Sequence, residues 1–363
     1  MMKNLIFYLS LSFVWLVAGC SEKDKSGNYS NGVNPESIYD VQAYTLNDSS
    51  LWRFPLQMEY TDSLLVVLDY MDDYYFHVYT LKGEPIGHFA RKGQGPGELL
   101  SANQFHLSED RDSLYVYDGV SRKIVMYKLN GDYVKDLLFQ EYKIDYTLLP
   151  PSDIPYILYD MLPVKDEVFL VKANQPKLRY GKLDLTKGEI TSVYGDFPTG
   201  CVAGKAEEVW SVFSSDTRTC LKPDCSKVLN ATYIGGILEY FSVQSDLGLR
   251  ADTALYIYEP VYGLAEGAVP SYVVGNENTQ LGFEDVYATD QFVYALLHEK
   301  GDAAAEPQSV MVFDWQGKAL RKINVKQRLL RLCVDEARNM IYAMAADEAN
   351  GYKLVSIPLK YFR

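Results

Sequence analysis

A strand hairpin with a glycine at its turn recurs along the chain: Val78-Tyr-Thr-Leu-Lys-Gly83-Glu, Val125-Met-Tyr-Lys-Leu-Asn-Gly131-Asp, Tyr180-Gly-Lys-Leu-Asp-Leu-Thr-Lys-Gly188-Glu and Val310-Met-Val-Phe-Asp-Trp-Gln-Gly317-Lys. Each copy joins an apolar, β-branched or aromatic run to a second run through a polar residue and Gly, whose tolerance of positive φ suits a tight hairpin turn. A hairpin repeated about every 40 to 60 residues predicts a β-propeller, a ring of small antiparallel sheets. Binding proteins and enzymes share that architecture, so the repeat constrains the fold and leaves the ligand open.

Alternating apolar runs place strands at Leu64 to Asp69, Ser113 to Asp118, Val168 to Ala173, Lys227 to Tyr233, Phe292 to His298 and Met340 to Ala345. These six runs predict an all-β, six-bladed propeller of four-stranded antiparallel blades. Their outer partners include Tyr75 to Leu81 with Glu84 to Ala90, Arg122 to Leu129 with Asp132 to Phe139, and Ser309 to Trp315 with Lys318 to Val325. The gap from Gly188 to Gly317 is long enough for one further blade, near Thr219 to Glu259, and Pro260 to Gly282 reads as an insertion. The last blade ends one strand short after Tyr352 to Ile357, and the unassigned run Ile38 to Leu46 is expected to complete it and close the ring. Seven blades is the competing count, with Glu208 to Phe213 or Ala254 to Tyr258 as the extra central strand.

The start of the chain carries a different kind of information. Residues 1–19 read as a secretion signal, with Lys3 before the apolar run Leu5 to Ala18, too short for a membrane span of about 20 residues. Val17-Ala18-Gly19-Cys20 resembles the lipobox of bacterial lipoproteins, which implies cleavage before Cys20 and acylation of its thiol. Residues 20–37 then form a polar, lipidated tether, and 38–363 the propeller body. Ser21-Glu22-Lys23-Asp24 loosely resembles the surface-export tag of Bacteroidetes lipoproteins, so the outer membrane is the expected location, facing either the periplasm or the cell exterior. The net charge of -13 argues against nucleic acid as a partner and against docking on anionic lipid other than through the anchor. Export permits disulfides, and Cys201, Cys220, Cys225 and Cys333 are read either as partly bridged or as buried thiols.

Gly83-Glu-Pro-Ile-Gly-His-Phe-Ala-Arg-Lys-Gly93-Gln-Gly95-Pro-Gly97-Glu followed by Ser113-Leu-Tyr-Val-Tyr-Asp118 resembles an NHL-type propeller repeat. Gly282-Phe-Glu-Asp, Phe292-Val-Tyr-Ala-Leu, Val312-Phe-Asp-Trp-Gln-Gly317-Lys-Ala-Leu and Asn339-Met-Ile-Tyr-Ala resemble the TolB-like six-bladed propeller lipoproteins of Bacteroidetes, a family also called BF3164-like. The likeness spans nearly the whole body and is weakest from Pro198 to Tyr258. It implies the fold and the envelope location and carries over no activity.

The side chains offer little catalytic machinery. Gly93-Gln-Gly95-Pro-Gly97-Glu98 lacks a Gly-Lys-Ser/Thr ending and a following helix, so it reads as a connector between blades rather than a phosphate cradle. His77, His88, His106 and His298 form no zinc spacing, and no nucleophile elbow is present. Calcium is the one cofactor left open, through Asp69, Asp72 and Asp73, against the alternative of ordinary turn carboxylates. The 30 tyrosines are read as strand packing in preference to a sugar-binding platform.

Propellers usually bind at the channel mouth, where the innermost strand of each blade begins. Alignment of the repeats puts Trp52 and Arg53, Asn103 and Gln104, Tyr156, Arg218, Glu284 and Asp285, and Arg331 near that rim. Arginines with aromatic rings suit a carboxylate-bearing peptide or an acidic sugar. The expected function is therefore a tethered, non-catalytic binding platform for an envelope protein, peptide or glycan. Its alternatives are a calcium-dependent hydrolase or lactonase in the channel, and a structural or sensory module.

Overall fold

The computed structural model describes residues 33–48, 52–70, 72–129, 137–144, 158–165, 167–175, 178–187, 189–194, 197, 211–215, 217–265, 273–300, 308–347 and 351–359. Two strands precede the first blade, β1 (Ser37–Val41) and β2 (Tyr44–Asn47). Blade 1 is β3 (Pro55–Tyr60), β4 (Leu64–Asp69), β5 (Tyr74–Thr80) and β6 (Pro85–Arg91). Blade 2 is β7 (Phe105–Leu107), β8 (Ser113–Asp118), β9 (Lys123–Lys128) and β10 (Phe139–Lys143). Blade 3 is β11 (Leu158–Lys165), β12 (Val168–Gln175), β13 (Leu178–Asp184) and β14 (Glu189–Tyr194).

A π-helical turn over Ser211–Ser215 leads into blade 4, made of β15 (Thr217–Leu221), β16 (Lys227–Thr232), β17 (Ile237–Val243) and β18 (Leu249–Tyr256). The insertion that follows contributes a small hairpin, β19 (Gly263–Leu264) with β20 (Val273–Val274). Blade 5 is β21 (Phe283–Ala288), β22 (Phe292–His298), β23 (Gln308–Asp314) and β24 (Ala319–Val325). Blade 6 is β25 (Leu329–Asp335), β26 (Met340–Asp347) and β27 (Gly351–Pro358), completed by β2. The molecule is an all-β, six-bladed propeller. The runs proposed for a seventh blade lie elsewhere: Ala254–Tyr256 belongs to the outer strand of blade 4, Val212 and Phe213 to the helical turn, and 208–210 outside the described residues.

The closing strand differs from its expected form. Instead of one strand from Ile38 to Leu46, the chain kinks at Gln42-Ala43 and serves two blades. β1 adds in parallel to the outer strand of blade 5, with Tyr39 opposite Ile323, while β2 runs antiparallel to β27 with Thr45 opposite Val355. Ala43 is buried at the kink, which anchors the change of partner in the core shared by blades 5, 6 and 1. Asn47 then donates its side-chain amide to Gly83 O at 2.7 Å, tying the closing segment to a turn of blade 1. Gly83 and Gly317 both have a φ of +85°, as the recurring hairpin requires, whereas Gly131 and Gly188 lie outside the described residues. The outer strand of blade 2 was expected from Asp132; its described strand starts at Phe139, opposite Tyr127.

Packing follows from the alternation along each strand. Separate apolar clusters fill the spaces between blades 1 and 2, 2 and 3, 3 and 4, and 4 and 5, and a larger one joins blades 5, 6 and 1. Two polar devices set the loops between blades. Asp69, at the end of β4, accepts the backbone N–H groups of Arg53 and Phe54 at 2.7 and 2.9 Å. Asp118, in the same place on β8, accepts those of Leu100, Val120 and Ser121. Gln57 clamps blade 1 to blade 2 by pairing with both the N–H and the C=O of Phe105.

Four of the innermost strands share a further feature. The pairing of each with its neighbour slips by one residue near its start, at Leu56, Tyr159, Glu284 and Leu330. Such bulges turn successive side chains away from strict alternation. The residues just beyond them are Gln57, Asp160, Asp285 and Arg331, all polar; the first three line the channel's cavities and Arg331 is buried behind them.

Candidate functional site

The innermost strands surround a channel, and a cavity of about 690 Å³ is bounded by blades 1 to 4. Its walls come from the starts of β3, β7, β11 and β15 and from the second strands β8 and β12. Tyr70, Tyr115, Tyr117 and Tyr159 line it, with Asn103, Gln104 and Ser101 among the neutral polar groups. A smaller cavity of about 140 Å³ continues toward the far ends of the inner strands and shares Leu56, Asn103, Gln104, His106 and Arg218 with the first.

Asp160 is the acid of the large cavity. Its Oδ1 lies 2.6 Å from His106 Nε2 and accepts the Met161 N–H at 2.9 Å, and the Gln104 amide nitrogen faces both its oxygens at 2.9 and 3.0 Å. Burial pushes this carboxyl up, but His106, Lys172 and the Met161 N–H together hold it below the usual carboxylate range. Lys172 stands on the neighbouring strand, opposite Asp160, and is 1 % exposed. It donates to Thr217 Oγ1 at 2.6 Å and Thr219 Oγ1 at 2.5 Å, and no carboxylate among the described residues lies at ion-pair distance from it. Burial lowers Lys172 to about 8, assisted by Arg179 and Arg218 and opposed by Asp160 and Glu239. Arg218, partly exposed, lines both cavities and donates through Nε to Glu284 O at 3.3 Å.

The two threonines belong to a deeper network between blades 3 and 4. Thr219 donates to Asn230 Oδ1 at 3.3 Å, Asn230 donates to Glu239 Oε2 at 3.1 Å, and Glu239 pairs with both terminal nitrogens of Arg179. Arg179 is wholly buried, with its guanidinium 5.2 to 5.6 Å from the ring centroids of Tyr180, Phe197, Phe213 and Phe241. Its charge is neutralised within the network, and the cations that line the cavity are Arg122, Lys172 and Arg218.

The other side of the channel is an interlock of a different kind. Glu284 lies 3.1 Å from His298 Nε2 and 2.8 Å from Arg331 Nη1. Burial raises it, but His298 and Arg331 outweigh that and hold it at about 2. Asp285 accepts the Leu332 N–H at 2.8 Å, and burial lifts it to about 6 despite Arg331 and Arg218. Glu59 pairs with Arg111 at 3.1 Å, and Arg111 also donates to Tyr60 O and Tyr287 Oη. These carboxylates are each bound to a cation or an N–H. Among the described residues no group of three or more His, Cys, Asp or Glu side chains is placed to hold a metal ion.

The expected rim residues separate into three groups. Asn103, Gln104 and Arg218 line both cavities, and Asp285 lines the smaller one. Glu284 and Arg331 sit behind them in the interlock, buried and committed to each other. Trp52 is packed in the core against Tyr79, Arg53 is exposed, and neither lines a cavity; Tyr156 lies outside the described residues, as does Cys20. His106, Asp160 and Lys172 were not anticipated. The available signal was Lys172 itself, a charge in the middle of the apolar run Phe169-Leu-Val-Lys-Ala173.

Other expectations resolve locally. Asp69 serves the blade loop described above, Asp72 pairs with His77 at 3.1 Å, and so Asp69, Asp72 and Asp73 do not converge. The glycine loop is a connector, and Glu98 fills its own turn, accepting the Gly95 N–H at 2.8 Å. Cys220, Cys225 and Cys333 are free thiols, and Cys201 lies outside the described residues.

Residues 34–337 match the family described as TolB-like 6-blade propeller-like. Among solved structures, an exported protein of Bacteroides fragilis superposes with a TM-score of 0.52 at 12% identity, covering 88% of this chain and 98% of its own. A DUF4221-family protein of Bacteroides vulgatus gives 0.51 at 12% identity, over 87% of this chain and 95% of its own. At such identity the likeness is one of fold. A search of the curated proteins finds no match.

Proposed function

The chain belongs to the TolB-like six-bladed propeller family, and from that premise we propose that it is a membrane-anchored platform that binds an envelope glycan, peptide or protein in its channel without transforming it. The observation that carries this reading is the 690 Å³ cavity, a volume in the range of small-ligand sites, with tyrosine rings, amides and the cations Arg122, Lys172 and Arg218 on its walls. The engaged carboxylates of the channel favour binding over a calcium-dependent hydrolysis, because such chemistry needs oxygens free to converge on the ion.

Binding of the full chain to an array of glycans and peptides tests the platform. Arg218→Glu is expected to abolish a channel-bound signal while leaving the fold intact, since Arg218 is partly exposed and lines both cavities. A signal that survives the charge reversal would place binding elsewhere.

The anchor belongs to the same proposal. Within the family, the narrower group of Bacteroidetes lipoproteins is supported by the Val17-Ala18-Gly19-Cys20 sequence, and an envelope location by the exported neighbour from Bacteroides fragilis. Labelling cells with a palmitate analogue is expected to mark the wild-type chain and leave Cys20→Ala unlabelled; equal labelling would remove the anchor from the account.

A further inference from the structure

The large cavity has a buried ammonium on its wall, Lys172, with no carboxylate among the described residues in ion-pair contact. Asp160 is occupied by His106, Gln104 and the Met161 N–H. Glu239 is occupied by Arg179 and Asn230. Lys172, buried on the wall between them, meets only the hydroxyls of Thr217 and Thr219. An ammonium has three donors, and both hydroxyls pass their own protons onward, Thr217 to Ser214 O and Thr219 to Asn230 Oδ1. One Lys172 donor is therefore left over beside a cavity that Arg218 and Arg122 also line. Burying an ammonium with no carboxylate in direct contact is unfavourable, and this one is held in a protein of net charge -13.

We propose that Lys172 and Arg218 receive the carboxylate of an acidic sugar, a uronic acid residue whose ring lies among Tyr115, Tyr117 and Tyr159. This rests on the platform reading above and names its ligand class. A carboxylate fits because one ammonium donor and a planar guanidinium match its two oxygens. A phosphate would call for a cradle of backbone N–H groups, and the glycine loop that offers one is filled by Glu98. The sugar fits because the wall also carries hydroxyls, amides and aromatic rings, the groups that meet ring hydroxyls and the apolar faces between them.

The test is calorimetric titration of the full chain with a galacturonic acid trisaccharide, its methyl ester and a capped peptide bearing a free C-terminal carboxylate. The acid is expected to bind at least about tenfold more tightly than the ester, as loss of a charge-assisted hydrogen bond predicts. Lys172→Met is expected to remove the preference while leaving the thermal midpoint unchanged or higher, since it takes away a buried charge. A purely structural lysine would instead lower the midpoint and leave the preference intact. Arg218→Gln, outside the buried network, gives the same readout should Lys172→Met fail to fold.

The acid's affinity is also expected to fall as the pH rises through about 8, where Lys172 loses its proton in the field of Asp160, Arg179, Arg218 and Glu239. Equal binding of acid and ester overturns the carboxylate assignment and leaves the platform standing. Lysine-dependent binding of the peptide alone overturns the sugar, and no binding by any probe overturns both this inference and the channel as the site.

Discussion

Glu239→Ala is expected to lower the unfolding free energy by about 3–5 kcal/mol, the range for stranding one partner of a buried ion pair. The substitution leaves the Arg179 guanidinium with no exposure and no counter-charge, ringed by Tyr180, Phe197, Phe213 and Phe241. Four aromatic faces attract the cation without replacing the two hydrogen bonds that Glu239 accepts. Burial of Arg179 opposes its charge, and the neighbouring Glu239 more than compensates, so the guanidinium stays protonated. Replacing the pair together, Arg179→Met with Glu239→Leu, is expected to recover most of the loss, because the cost lies in the unpaired charge rather than in the absent bond. Denaturant unfolding of the two single variants and the double variant checks this. Additive losses would mean that the two groups are not coupled as the geometry describes.

Deleting the chain before residue 48 removes both β1 and β2, and is expected to destabilise the ring by about 3–5 kcal/mol. The loss comes from Val41, Ala43 and Leu46, which pack on the core of blades 5, 6 and 1, and from the β2 ladder on β27. Asn47 also gives up its bond to the Gly83 turn in blade 1. The exposed edge of β27 is then available to pair with another chain, so aggregation on heating is expected alongside the lower midpoint. A chain that begins at Val33 keeps both strands and is the reference. Equal midpoints for the two truncations would show that β1 and β2 do not secure the ring.

Much of this architecture was readable from residue order. The second strand of every blade is a largely apolar run, and each expected run starts at the strand's first residue and ends within two residues of its last. The closing segment was found but assigned to one blade, because nothing in Ile38 to Leu46 marks the kink at Gln42-Ala43 that divides it between two. That kink depends on the tertiary core receiving Ala43.

The site was less legible, for a reason visible in the innermost strands. Bulges at Leu56, Tyr159, Glu284 and Leu330 shift the inward-facing register by one residue, which no alternation rule anticipates. Where blade 2 and blade 4 run without a slip in this pairing, Asn103, Gln104 and Arg218 were found at the cavity wall. In blade 1 the rim was assigned to Trp52 and Arg53, ahead of the strand that starts at Pro55, and the wall is formed by Leu56 and Gln57 instead. Asp160 follows a bulge, and Lys172 becomes significant only once its strand is paired with Asp160 and packed against Thr217 and Thr219.

The central claim is that the ligand occupies the cavity between Lys172, Arg218 and the tyrosines. A crystal structure of the protein grown with the galacturonic acid trisaccharide tests it most directly. The account predicts a carboxylate bonded to Lys172 Nζ and the Arg218 guanidinium, with the sugar ring against Tyr115, Tyr117 or Tyr159. A trisaccharide bound on an outer blade face, or a cavity left empty at saturating sugar, would contradict it.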